Sequence, residues 1–137
     1  MDWSSRYVIS WRLSNSLDKA SCIECLEDAL QKETKPEIFN TDQGSQFTSE
    51  AFIGMLKTNG IKISMDGKGR ALDNVMIERL WRTVKYDDIY IRGYETMTEL
   101  HHGLNAFFTK YNARKHQTLG MSPEQKYREE LNLQEAA

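Results

Sequence analysis

Two short runs of strand-forming residues, Glu37–Asp42 (EIFNTD) and Ile61–Met65 (IKISM), each stand between stretches with helical apolar spacing, and this alternation is what most constrains the fold. From Asp18 to about Gln31, Ile23, Leu26 and Leu30 recur at helical intervals among Glu and Asp, until Lys35-Pro36 halts the run. Thr48 or Ser49 can cap a second helix with Phe52, Met55 and Leu56 on its apolar face, and Asn59-Gly60 ends it. Ile77, Leu80, Trp81 and Val84 predict the buried face of a third helix from about Asp73 to Tyr86. Upstream, Ser5–Leu13 (SRYVISWRL) alternates roughly by two in β-branched and aromatic residues and is read as a further strand. Strand, helix, strand, helix, strand, helix is the order of an α/β layer architecture.

Downstream, Glu95 to about Ala113 reads as a fourth helix with Leu100, Leu104, Phe107, Phe108 and Tyr111 inward. Ser122 caps a last short helix with Pro123 at its first position. A chain of 137 residues suits one domain with a buried core. We expect residues 1–92 to carry the sheet, the glycine loop DGKGRALDN and the Glu78-bearing helix, and residues 93–137 the C-terminal helices. No apolar run approaches the ~18 residues of a membrane span, so no membrane partner is expected. The start MDWSSRYVIS lacks the basic opening and apolar block of a secretory signal, so a cytoplasmic setting with reduced Cys22 and Cys25 is expected.

The net charge of −2 conceals a division along the chain. Residues 1–56 hold five bases against nine acids, whereas residues 57–92 hold eight bases against five acids. A polyanion would be met in that middle segment, although the pI near 5.9 makes composition alone weak evidence for it.

Two acids carry most of the functional weight. Asp42 ends a predicted strand, where α/β sheets collect ligands, yet Asp before Gln-Gly is also an ordinary turn residue. Glu78 shares a polar helix face with Arg82 and Lys85, which makes it either an ion-pair partner of Arg82 or a carboxylate looking back over the glycine loop. Hard divalent cations such as Mg²⁺ take a few carboxylate oxygens and leave other positions to water and phosphate, so two such acids suit one.

Whole phrases extend this reading. NTDQGSQFTSEAF, GKGRALDNVMIERLWRTVKYDDIY and YNARKHQTLGMSPEQKY resemble, in the same order, the frameshifted, second-frame catalytic subunit of bacterial insertion-sequence transposases, whose core is similar to retroviral integrases. Thirty-five residues lie between Asp42 and Glu78, the spacing typical of that family's second Asp and final Glu. The resemblance implies a ribonuclease-H-like, three-layer integrase core and metal-dependent phosphoryl transfer on DNA. It further implies two Mg²⁺ or Mn²⁺ ions in the complete site, with Asp42 and Glu78 as the second and third carboxylates of a DDE set. Lys68, Arg70, Arg82 and Lys85 become phosphate contacts or a solvated basic face, and Asn74 a helix cap or a DNA contact. Arg114 and His116 become DNA contacts or surface packing, in a stretch one residue shorter than the family pattern.

The family's first Asp lies on a strand that precedes the stretch resembling MDWSSR. We therefore expect an N-terminally incomplete core lacking the first strand and most of the second, inactive or very weak alone, with Met1 an internal residue of a longer subunit. Asp2 aligns with the end of the second strand and reads as a turn or surface acid rather than a substitute ligand. Nucleoid-associated DNA, self-association or a full-length transposase are the partners implied. The alternative is a non-catalytic DNA-binding or subunit-interaction fragment that modulates a full-length enzyme.

Other motifs read as structure. Cys22 and Cys25 have no second ligand pair for zinc and lie inside an amphipathic helix, so they pack. His101-His102 reads as surface, and Phe107, Phe108 and Tyr111 as helix packing with a dimer or domain contact as the alternative.

Overall fold

A computed structural model describes residues 1–16, 18–65 and 74–137. The expected glycine loop, with Lys68 and Arg70, therefore lies outside the described residues up to Asp73. The chain forms two compact units, one of Ile9–Val75 and one of Met1–Val8 with Met76–Ala137.

In the first unit, α1 spans Lys19–Lys32 and begins where the Asp18 carboxylate accepts the Ser21 N–H. That bond lowers the Asp18 pKa, as an N-cap should. β1 (Ile38–Thr41) and β2 (Lys62–Met65) pair in parallel, Ile38 opposite Lys62 and Thr41 opposite Met65. Between them α2 (Glu50–Thr58) is capped by Ser49, whose hydroxyl accepts the Phe52 N–H, and it stops at Asn59-Gly60 with Gly60 left-handed. This β1–α2–β2 crossover buries Leu26, Phe52, Leu56 and Ile61 in one cluster, with Phe39 and Phe47 edge-on to the Phe52 ring. Cys22 and Cys25 remain free thiols, and Cys22 packs against that cluster, as its place in the helix implies. Desolvation pushes the Cys22 thiol pKa up.

The second unit is helical. α3 (Val75–Val84) runs directly into a π-turn at Lys85–Ile89 and a last α-turn, α4 (Tyr90–Arg92), which ends at left-handed Gly93. The helix thus passes the expected stop at Tyr86. Its continuation is stabilised by Asp88, which is buried and accepts from Arg92 Nε at 2.9 Å and from the Tyr94 hydroxyl at 2.8 Å. Leu80 and Val84 are buried as the spacing predicts, but Trp81 is 45 % exposed and stands outside the core. α5 (Met97–Ala113) starts at the Thr96 cap and buries Leu104 and Phe108. α6 (Pro123–Ala136) runs a full 14 residues, longer than the short helix expected, and is opened by a reciprocal Ser122–Gln125 capping box.

Ser5–Leu13 does not form the predicted strand: the described sheet has two strands, β1 and β2. Side-chain alternation suits a strand only where a neighbouring backbone completes the ladder. Here Val8 exchanges both its backbone bonds with one side chain, donating to Asn112 Oδ1 at 2.9 Å and accepting from Asn112 Nδ2 at 3.0 Å. Arg6, at φ 64°, also breaks the extended run.

Candidate metal-binding and nucleic-acid site

Asp42 follows β1 directly, so the strand ends one residue before it. The carboxylate is exposed, and its Oδ1 accepts the Gly44 N–H at 2.8 Å. A Cβ at Gly44 would fall 2.9 Å from Asp42 Oδ1 and 3.0 Å from Gln46 Oε1, so a side chain there would make these two side chains shift. Asp42 is thus a turn acid in local geometry. The turn engages one carboxylate oxygen and leaves the other, Oδ2, available to a ligand.

Glu78 lies in the first turn of α3 and is exposed. The alternative read for Glu78, an ion pair with Arg82, does not form: the ion pairs among the described residues include Arg12–Asp28, Arg92–Asp88 and Lys126–Glu130 but none with Glu78. Arg82 instead lies over the Tyr86 ring, 5.7 Å from its centroid. With that cation drawn along the helix, the Glu78 carboxylate is left to solvent. Lys85 opens the π-turn and is exposed on the same side as Glu78 and Arg82. Asn74 stands immediately before α3.

Each acid by itself suits a divalent ion by its chemistry: both are exposed carboxylates, one with a single oxygen committed to a backbone N–H and one outside every ion pair among the described residues. No group of three or more His, Cys, Asp or Glu able to hold a metal occurs among the described residues. Asp2 does not join them. Its Oδ2 accepts the Ser5 N–H at 2.8 Å and the Ser5 hydroxyl at 2.5 Å, which makes it the turn acid expected.

The helical unit also holds an open cleft of about 860 Å³. Its cations include Arg6, Arg79, Arg82, Lys110, Arg114 and Lys115, and Phe107 and Tyr111 form part of its wall. Arg114 and His116, expected as DNA contacts, both line it. Burial and the neighbouring Arg6 charge hold the His116 imidazole below its ordinary pKa. The sequence reading missed Arg6, Arg79, Lys110 and Lys115. A signal for part of this was present, since Phe107, Lys110, Tyr111 and Arg114 follow i, i+3, i+4, i+7 and mark one aromatic and basic face. Nothing in the sequence announces Arg6, which depends on a left-handed backbone.

Among the described residues no helix is long and apolar enough to cross a membrane. An Integrase core domain family matches residues 1–71, and a second Integrase core domain family matches residues 59–123. The chain is 31 % identical to the transposase for insertion sequence element IS904 of Lactococcus lactis, over 84 % of this chain and 47 % of that protein. It is 30 % identical to the putative transposase InsK for IS150 of Escherichia coli K12, over 84 % of this chain and 41 % of that protein. The chain therefore spans less than half the length of these curated relatives. Among solved structures, the catalytic core domain of BIV integrase superposes with a TM-score of 0.77 at 20 % identity, covering 96 % of this chain and 84 % of that one. The HTLV-2 integrase catalytic core, solved with magnesium in a trimeric form, gives 0.64 at 20 % identity over 85 % of this chain and 74 % of that one. These likenesses establish a ribonuclease-H-like fold, and with the family matches they identify the chain as a member of the integrase core family in the form found in bacterial insertion-sequence transposases.

Proposed function

We propose that this chain contributes to DNA transposition by metal-dependent phosphoryl transfer, with Asp42 and Glu78 as two of the carboxylates that hold Mg²⁺ or Mn²⁺. The observation that carries this is the open state of both acids: Asp42 is oriented by Gly44 with one oxygen still available, and Glu78 is exposed with Arg82 drawn away to Tyr86. The magnesium present with the HTLV-2 core supports the choice of ion. Bound there, the ions of a complete site would activate the attacking hydroxyl and stabilise the leaving 3′-oxygen. Asp42 and Glu78 fix where that charge sits. Lys68, Arg70, Asn74, Arg82, Lys85, Arg114 and His116 hold phosphates of the element end or the target and orient the scissile strand.

A polypeptide of these 137 residues brings two carboxylates of the set, so we propose that alone it binds DNA and cuts it weakly or not at all. Incubation with terminal-repeat DNA and Mg²⁺ or Mn²⁺ tests this, and robust metal-dependent strand transfer by the chain alone would overturn it. Titration with Mn²⁺ followed by water-proton relaxation tests the ligands separately. Asp42→Asn is expected to weaken ion binding at least tenfold, roughly the loss of one charge-assisted ligand. An unchanged affinity would remove Asp42 from the site.

A second reading is favoured by the cationic cleft of the helical unit, whose lining includes neither Asp42 nor Glu78. The chain would then bind nucleoid DNA in the cytoplasm, or join further copies or a full-length transposase, without cutting. The trimeric form of the HTLV-2 core supports self-association. Salt-dependent DNA retention with no metal-dependent cleavage would favour this reading, and no binding at low salt would end it.

A further inference from the structure

α3 presents Met76, Arg79, Leu80, Arg82 and Thr83 to the cleft. Glu78, one turn before Arg82, is not among the lining residues. The lining of the cleft thus includes neither acid proposed to hold the metal, although it shares a helix with one of them. Its chemistry is mixed. Phe107 and Tyr111 stand one turn apart on α5 with ring centroids 6.2 Å apart and 21° between their planes, and Lys110 lies between them in sequence. Two nitrogens of lining residues, Arg6 Nε and His116 Nδ1, are buried without a hydrogen-bond partner among the described residues. A guanidinium N–H only donates, so what completes it is an acceptor oxygen, and an anionic one suits the surrounding cations.

Cations alone would accept any phosphate. The aromatic wall is what discriminates, because a free phosphate gains nothing from it and a base does. A duplex keeps its base faces inside its own stack and offers a concave, basic cleft only its backbone, whereas an unpaired strand offers phosphates and base faces together. We infer that this cleft holds an unpaired DNA segment, its phosphates on Arg6, Arg79, Lys110 and Lys115 and a base against the Phe107–Tyr111 wall. This rests on the DNA reading above and specifies which form of DNA one surface takes.

Fluorescence anisotropy of the full 137-residue chain, with a labelled single strand and with the duplex of the same sequence, tests it. Phe107→Leu keeps an apolar side chain and removes the ring. It should lower single-strand affinity roughly fivefold or more, as expected when one base no longer stacks, while duplex affinity stays within about twofold. Lys110 and Lys115 are exposed, so the double variant Lys110→Gln/Lys115→Gln keeps the fold even where Phe107→Leu perturbs it. In that variant the slope of log affinity against log salt for the single strand should fall by about 1.4, near 0.7 for each phosphate that no longer meets a lysine. Equal losses for single strand and duplex, or none for either, would overturn the inference while leaving the DNA reading intact. Competition by inorganic phosphate that releases the strand completely at low millimolar concentration would reduce the cleft to an anion site. If neither oligonucleotide binds at 50 mM salt, the DNA reading itself fails, and this inference with it.

Discussion

Gly54 lies inside α2 in the unit Ile9–Val75, and Gly103 inside α5 in the helical unit, and their surroundings are opposite. A Cβ added at Gly54 would meet nothing within 4 Å, whereas one added at Gly103 would collide with the Tyr94 hydroxyl and ring. The first unit is organised by apolar burial around Phe52 and Leu56, which tolerates a methyl group at its rim. The helical unit is organised by a buried carboxylate: Tyr94 crosses α5 at Gly103 so that its hydroxyl can reach Asp88. Gly103 thus serves polar geometry, and the penalty for enlarging it includes taking a donor from a buried carboxylate.

That contrast can be broken by substitution. Gly103→Ala should displace Tyr94, strip one donor from Asp88 and lower stability by about 3 kcal/mol in urea unfolding, combining overpacking with a lost bond to a charged group. A loss below about 1 kcal/mol would show that Tyr94 is free to move and that Asp88 does not organise the unit. Asn112→Leu comes next, at about 2 kcal/mol, since it leaves the buried Val8 N–H and C=O without partners. Gly54→Ala should act in the opposite direction and raise stability by about 0.5–1 kcal/mol, the ordinary helix gain over Gly. A destabilising result would mean that α2 packs more tightly than its open flank indicates.

The smallest effect concerns pH. The folded chain holds the His116 pKa below 6.5, with desolvation the larger cause and the Arg6 charge the lesser. The unfolded chain therefore takes up this proton first as pH falls. The contribution of neutral His116 is complete above 6.5 and declines below it, toward the lower folded value. His116→Gln should flatten the dependence of unfolding free energy on pH below about 6.5, and an unchanged slope would place the titration elsewhere.

Much of the fold was legible because caps and stops are local chemistry. Asp18 and Ser122-Pro123 start helices as read, Ser49 is the one of the two candidate caps Thr48 and Ser49 that starts another, and Asn59-Gly60 stops it. The two paired strands also follow from short β-rich runs. The misreadings share one cause, a partner distant in sequence or hidden by the local pattern. Ser5–Leu13 alternates like a strand, but Asn112, more than a hundred residues on, supplies the backbone bonds of Val8. The continuation past Tyr86 depends on Tyr94 and Arg92 closing over Asp88, where the local sequence shows only two adjacent acids. The candidate site was legible by type and order, since Asp42 and Glu78 sit in quotable phrases. Their side-chain states were not: helical spacing predicts a Glu78–Arg82 pair as readily as the Arg82–Tyr86 contact that forms.

The bond from Gly44 to Asp42 also has an entropic side. An exposed carboxylate ordinarily samples several rotamers, and whatever it binds must first freeze them. Asp42 loses that freedom when the chain folds, because the Gly44 N–H fixes one oxygen and the absence of a side chain at Gly44 keeps the approach open. For the ion proposed at Asp42, part of the ordering cost would thus fall on folding rather than on ligand capture.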